Sequence, residues 1–301
     1  CTCERDITQY FKELKVSGVQ INRDVYIALI HGYANCGQWE KAKQVVQSKG
    51  VPIKNLNDIK STLVSVLACH GKIADALDIY GEIKQTGCDL DQRSILCLME
   101  SIKSEGELSQ LLDLLGDLNV PDYWVDGCYR VIVYCVRHKH LSCIIDLLRR
   151  LKEKLEDDEV AMEGLFDEAF FVIAEAESAA HLELGMDLLR SIKEELGLRP
   201  SRRSLDFLLA ACANARDLRK SHLIWKEYQD AGLPYNVVSL LRMYQAVLAS
   251  GDYRCARSIE AQVSMDEPHV RCFVEECRKT YVPEEARGRE MAKKSRMRSG
   301  G

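Results

Sequence analysis

Between Arg202 and Asn236 the apolar residues recur at the spacing of one helix face: Leu205, Leu208, Leu209 and Cys212. Asn214-Ala215-Arg216-Asp217 interrupts that stripe, and a second one follows at Leu218, Ser221, Ile224, Trp225 and Tyr228. It stops at Ala231-Gly232, where a left-handed C-cap is expected, and Pro234 blocks any continuation. The pattern predicts a helix–turn–helix unit. Neither helix can bury its stripe alone, so the unit needs neighbours of its own kind.

Those neighbours are present. Asn57 to Asp91 has the same length, about 35 residues, with Thr62-Leu63-Val64 in a first helix and Gly71 in a turn. Ala76, Ile79, Tyr80 and Ile83 follow in a second helix, and Gly87 stops it. Arg23 onward places Gly37 and Ala42, and Val237 onward places Gly251 and Ala256, at the matching steps. Self-similarity at this period predicts an all-α solenoid of stacked helix–turn–helix repeats.

In this register residues 1–22 supply the second helix of a truncated repeat, with Ile7, Tyr10, Phe11 and Leu14 as its stripe. About seven repeats are expected over 23–265: 23–56, 57–91, 92–124, 125–165, 166–201, 202–236 and 237–265. The third is short and ends at Pro121 without a Gly, and the fourth carries an extra charged stretch, Lys152 to Glu159, read as a solvated helix extension. A capping helix is expected over 266–283, with Asp266 as N-cap ahead of Pro268. Residues 284–301 hold six basic residues against three acidic ones and almost no apolar ones, which predicts a disordered basic tail. The chain opens on Cys1-Thr2-Cys3 inside a repeat, so any transit peptide is expected to lie upstream.

Composition narrows the chemistry. A formal charge of −5 over 301 residues gives no global attraction to polyanions. Thirteen cysteines without a disulfide framework, several of them inside apolar stripes, suit buried thiols in a reducing compartment. No apolar run reaches the length of a membrane span. Cys135, His138, His140 and Cys143 carry zinc-ligand chemistry, but the register spreads them over a first helix, a turn and a second helix, at no finger spacing. No local Cys–His nucleophile motif occurs, and the deaminase pattern His-x-Glu with Pro-Cys-x-x-Cys is absent. The expectation is a binding protein with no catalytic residue, metal, cofactor or small-molecule substrate.

The period, the Tyr26 to Tyr33 pattern Tyr-x-x-Leu-Ile-x-Gly-Tyr and a Gly four residues before the repeat end, as at Gly87 and Gly232, resemble the pentatricopeptide repeat, in its P-type form, over most of residues 4–281. A tetratricopeptide assignment fits less well, because Ile30, Val64 and Leu209 stand where that repeat wants a small residue. The resemblance implies a right-handed superhelix whose first helices line a groove for single-stranded RNA, one repeat to a base. It further implies that the fifth and last residues of a repeat select the base, which singles out Ser61 with Asp91 and Asp206 with Asn236. The remaining fifth positions, Ile27, Leu96, Tyr129, Phe170 and Leu241, are apolar or aromatic, and Asp24, Asp58 and Asp126 bring negative charge to second positions. Arg202, Arg203 and, in the tail, Lys293, Lys294 and Arg296 are the candidate phosphate contacts.

Two function classes follow. The first is an organellar RNA-binding protein acting in transcript processing, stability, splicing or translation, with the mitochondrion expected ahead of the chloroplast. The second is a degenerate repeat scaffold for protein partners in an organellar ribosome or RNA-processing complex, favoured by apolar positions such as Tyr129, Phe170 and Leu241.

Overall fold

The computed structural model describes residues 2–18, 20–47, 51, 55–155 and 159–283, and among these there are helices and turns but no strand. The basic tail, with Lys293, Lys294 and Arg296, lies outside the described residues. The chain starts with α1 (Thr2–Val16) and continues as helical hairpins: α2 (Arg23–Asn35) with α3 (Trp39–Val46), α4 (Leu56–Cys69) with α5 (Ile73–Gln85), and α6 (Gln92–Ser101) with α7 (Leu108–Gly116). Next come α8 (Pro121–Arg137) with α9 (Leu141–Lys154), α10 (Glu159–Glu175) with α11 (Ala179–Glu194), and α12 (Arg202–Ala215) with α13 (Leu218–Asp230). The last hairpin pairs α14 (Val237–Ala249) with α15 (Tyr253–Glu260), and α16 (Pro268–Tyr281) closes the series. The all-α repeat architecture predicted from the hydrophobic stripes is the one observed.

The chain divides into two compact units, residues 1–131 and 132–301. In the first, α2 packs on α4 and α4 on α6, so first helices stack on first helices. In the second, α10, α12, α14 and α16 form the same kind of row. The apolar stripes fill these rows: Ile30, Ile59, Val64, Leu67 and Leu98 are fully buried in one unit, and Leu205, Leu208, Leu209 and Val247 in the other. Burying each such side chain stabilises the stack by roughly 1.5–3 kcal/mol. Second helices are tied to their neighbours by ion pairs, Lys43 to Asp75 at 2.6 Å, Lys193 to Glu227 at 2.6 Å and Lys220 to Glu183 at 2.7 Å. Partly exposed pairs of this kind contribute at most about 1 kcal/mol each.

Each hairpin turns on one residue in the left-handed region: Gly37, Gly71, Gly106, Lys139, Glu177, Arg216 and Gly251. Around Gly71 the amide of the turn residue reaches Ala68 O at 2.9 Å and the next amide reaches Leu67 O at 2.8 Å. Arg216 and Asp217 repeat that geometry on Ala213 O and Cys212 O at 3.1 and 3.0 Å. This is a Schellman closure, which satisfies carbonyls the helix leaves unpaired. The glycines at 37, 71 and 251 are legible in the sequence. Lys139, Glu177 and Arg216 perform the same turn with side chains that carry a Cβ, and so do not announce themselves.

Two boundaries differ from expectation. Pro121 opens α8 instead of merely ending the preceding repeat, a place where its missing N–H leaves nothing unpaired. Glu267, not Asp266, is the N-cap of α16, and its side chain makes no capping bond. Of the charged stretch after α9, residues 156–158 lie outside the described residues, while Lys152 continues α9 and donates to Leu196 O at 2.7 Å.

Candidate nucleic-acid interface

The left-handed turn residues give a ruler for the first helices. Ser61 lies ten residues before Gly71, and Asp206 ten before Arg216. Ten residues before Glu177 stands Asp167, not Phe170. Counting a repeat from residue 166 therefore misplaces this position by three, because α10 begins at Glu159 and the repeat is longer than its neighbours. Phe170 is fully buried core and presents no apolar contact to a partner. Asp167 takes its place, half-buried.

Three junctions between first helices then share one arrangement. Between α10 and α12, Asp167 Oδ1 accepts from the Ser201 hydroxyl at 2.6 Å and from the Ser204 hydroxyl at 2.7 Å. Ser201 is also the N-cap of α12, its Oγ accepting from Ser204 N at 2.9 Å. Between α12 and α14, the Asn236 side chain caps α14 by accepting from Ser239 N at 2.8 Å and from the Ser239 hydroxyl at 3.0 Å. Asp206, across the junction, hydrogen-bonds with the same Ser239. Between α4 and α6, Asp91 caps α6 by accepting from Arg93 N at 3.0 Å and Ser94 N at 3.2 Å, and the Ser94 hydroxyl also bonds to Asp91. The Ser94 hydroxyl also donates to Ser61 O at 3.1 Å. Each junction thus joins a residue ten before a turn, a buried serine on the next helix and that helix's N-cap. The cap is the residue that the repeat register names last.

The α12–α14 junction is the most deeply set. Asp206 is only 8% exposed, and the Tyr228 hydroxyl donates to its Oδ1 at 2.5 Å. Burial pushes the Asp206 carboxyl above its ordinary range; hydrogen bonds from Tyr228 and Ser239 and the charges of Arg242 and Arg202 oppose that shift without cancelling it. The Tyr228 phenol is likewise held protonated, by burial first and by Asp206 second. Trp225 stacks on Tyr235 with ring centroids 3.9 Å apart, and Tyr228 lies 5.5 Å from Tyr235. That cluster fixes the loop leading to Asn236. Ser61 is also buried, at 4%, whereas Asp91 is exposed.

Of the candidate phosphate contacts, Arg202 donates its Nε to Pro234 O at 3.1 Å and so braces the same loop. Arg203 is exposed, with its guanidinium 5.6 Å from the centre of the Phe207 ring. Phe207 meets Phe171 edge to face at 5.4 Å. Asp58, a negative second position, is paired with Arg23 at 3.3 Å. Tyr134 packs against His138 at 4.3 Å, and Cys135 and Cys143 hydrogen-bond to one another, so these residues make packing contacts with side chains of their own hairpin. Among the described residues no group of three or more His, Cys, Asp or Glu could hold a metal ion, and no helix is long and apolar enough to cross a membrane.

A series of helical hairpins, each closed by a left-handed turn and stacked first helix on first helix, defines a helical-repeat protein. The family model for the PPR repeat matches residues 24–48 and 60–88. Two mitochondrial pentatricopeptide repeat-containing proteins of Arabidopsis thaliana are 44% identical over 283 residues and 47% identical over 281 residues, covering 94% and 93% of the chain. The chain belongs to the pentatricopeptide repeat family. It spans 34% of the length of each of these relatives. Among solved structures, the pentatricopeptide repeat protein PPR10 in complex with an 18-nt psaJ RNA element is similar at a TM-score of 0.41 and 15% identity, over 96% of this chain and 48% of that one.

Proposed function

We propose that this chain is the RNA-binding repeat segment of a mitochondrial protein that acts on transcripts, in their processing, stability, splicing or translation. The observation that carries the reading is the recurrence of one polar arrangement at successive junctions: Asp167 with Ser204 and Ser201, then Asp206 with Ser239 and Asn236. Carboxylates, hydroxyls and an amide at the edges of neighbouring first helices offer donors and acceptors to the edge of an unstacked base. Asp206 is occupied by Tyr228 in the free protein, so a base that uses it must displace or share that hydroxyl. The mitochondrial assignment rests on the two Arabidopsis relatives.

The protein-scaffold reading loses an argument once Phe170 is placed in the core, since one of its three apolar contacts disappears. The deciding experiment is selection from a random single-stranded RNA pool at rising salt. Residues 1–283 should enrich a motif in which two adjacent positions are specified. Asp167→Ala with Ser201→Ala should relax one position, and Asn236→Ala the next, each by about 1–3 kcal/mol of discrimination. Enrichment without any motif, or a motif untouched by these variants, would refute base reading at these junctions.

A further inference from the structure

The junction between α4 and α6 carries a second chemistry. Cys69 Sγ, at the end of α4, lies 3.1 Å from Cys97 Sγ on α6. Two sulfurs from separate elements at that distance need a shift of only about 1 Å to reach the length of a covalent bond. Cys69 is exposed, and Cys97 is partly covered, with its thiol directed at Ser65 O at 3.6 Å. The Ser65 hydroxyl in turn donates to Ser94 Oγ at 2.7 Å, and Ser94 bonds to Asp91 and to Ser61 O. A line of polar contacts therefore runs along the junction from the thiol pair, through the Ser65 carbonyl and hydroxyl and the Ser94 hydroxyl, to the cap of α6.

We propose that Cys69 and Cys97 are a reversible thiol–disulfide site that fastens α4 to α6. The co-reactant is a small-molecule disulfide of the glutathione type. In the first exchange the Cys69 thiolate attacks that disulfide; a Cys69–glutathione bond forms, the original S–S bond breaks, and one glutathione leaves as its thiol, taking up the proton Cys69 gave. In the second, Cys97 attacks the Cys69 sulfur, the protein disulfide forms, and the second glutathione leaves with the Cys97 proton. Two electrons pass from the two cysteines to the co-reactant, and a reducing thiol reverses both steps. Exposure makes Cys69 the entry point. Burial and the neighbouring Cys69 push the Cys97 thiol up to about 12, so its thiolate is scarce and it attacks second, after Cys69 has taken the glutathione and no longer offers it a thiol partner. The link would hold the two helices that present Ser61 and Asp91 at a fixed separation.

The test is to equilibrate the purified chain in oxidised and reduced glutathione and map its disulfides under non-reducing conditions. The Cys69–Cys97 peptide should be the predominant disulfide, ahead of Cys135–Cys143 and every other pairing, and should vanish on reduction. Cys97→Ser should instead trap one glutathione on Cys69, and Cys69→Ser should lose both products, with the helical circular dichroism of both variants unchanged. Hydrogen exchange in α4 and α6 should slow on oxidation. Overturning results would be random pairing among the cysteines, no adduct at Cys69, or exchange in α4 and α6 that ignores oxidation. None of these readouts involves RNA, so the site stands or falls separately from the proposed function.

Discussion

Removing one oxygen from the second unit tests how the α12–α14 junction is held. Tyr228→Phe keeps the ring among Trp225 and Tyr235 but deletes the hydroxyl that donates to Asp206 at 2.5 Å. The carboxylate is nearly inaccessible, so water does not replace the lost donor, and the loss should be about 1–3 kcal/mol, the range for a buried acceptor left short of a partner. The loss should also depend on pH. Asp206 has a raised folded-state value, so the native state holds its proton more tightly than the unfolded chain. Its contribution is fully present below the unfolded carboxylate value and falls as pH rises through the folded one. Deleting the Tyr228 donor raises the folded value further, because that bond favours the charged form. The variant should therefore lose little at acid pH and most at neutral pH. Urea unfolding followed by circular dichroism at several pH values measures both effects, and Asp206→Asn in the Tyr228→Phe background should flatten the difference. An equal loss at every pH would mean that the Tyr228 hydroxyl does not favour the ionised form of Asp206 over the protonated one.

Other outcomes follow from the turns and the packing. Gly71→Val forces a branched side chain into a left-handed turn at φ +74° and should destabilise the first unit by at least about 1–2 kcal/mol, read as a lower urea midpoint. Arg216→Gly relieves the same conformation at φ 53° and should be neutral or stabilising by up to about 1 kcal/mol in the same assay. Gly185→Val should lower the melting temperature, since a Cβ at that position already meets Leu208 Cδ2 at 2.8 Å and Ile173 Cγ2 at 3.2 Å; overpacking of this kind costs about 1–3 kcal/mol. Ser204→Ala removes a hydroxyl from Asp167 and should cost about 1 kcal/mol, visible as faster amide exchange at the start of α12.

The sequence carried most of the architecture because a stripe of apolar residues at helical spacing has one economical burial, and glycines at 37, 71 and 251 mark where hairpins close. It misled where the turn residue has a side chain. Nothing in Glu177 signals a left-handed conformation, so the register of that repeat slipped and Phe170 stood in for Asp167. The polar break Glu175-Ala176-Glu177-Ser178 between two apolar stripes was the available clue. The serines at 94, 204 and 239 were invisible for a different reason. A small polar residue three places after an N-cap is unremarkable in sequence, and only packing shows that each is buried and shared between two helices. The contact between Cys69 and Cys97 likewise joins residues from different repeats, which no local pattern encodes.

The N-caps at Asp91, Ser201 and Asn236 place a limit on how this surface can change. Each closes its helix through its own side-chain oxygen, and few residues do that well: aspartate, asparagine, serine and threonine. Whatever ligand these junctions meet, a substitution that alters its recognition is filtered first by whether the next helix can still begin. The vocabulary of the surface is therefore small, set by helix initiation before any ligand is consulted. Drift at these three positions is expected to exchange one oxygen-bearing side chain for another, changing what is recognised while leaving the stack intact.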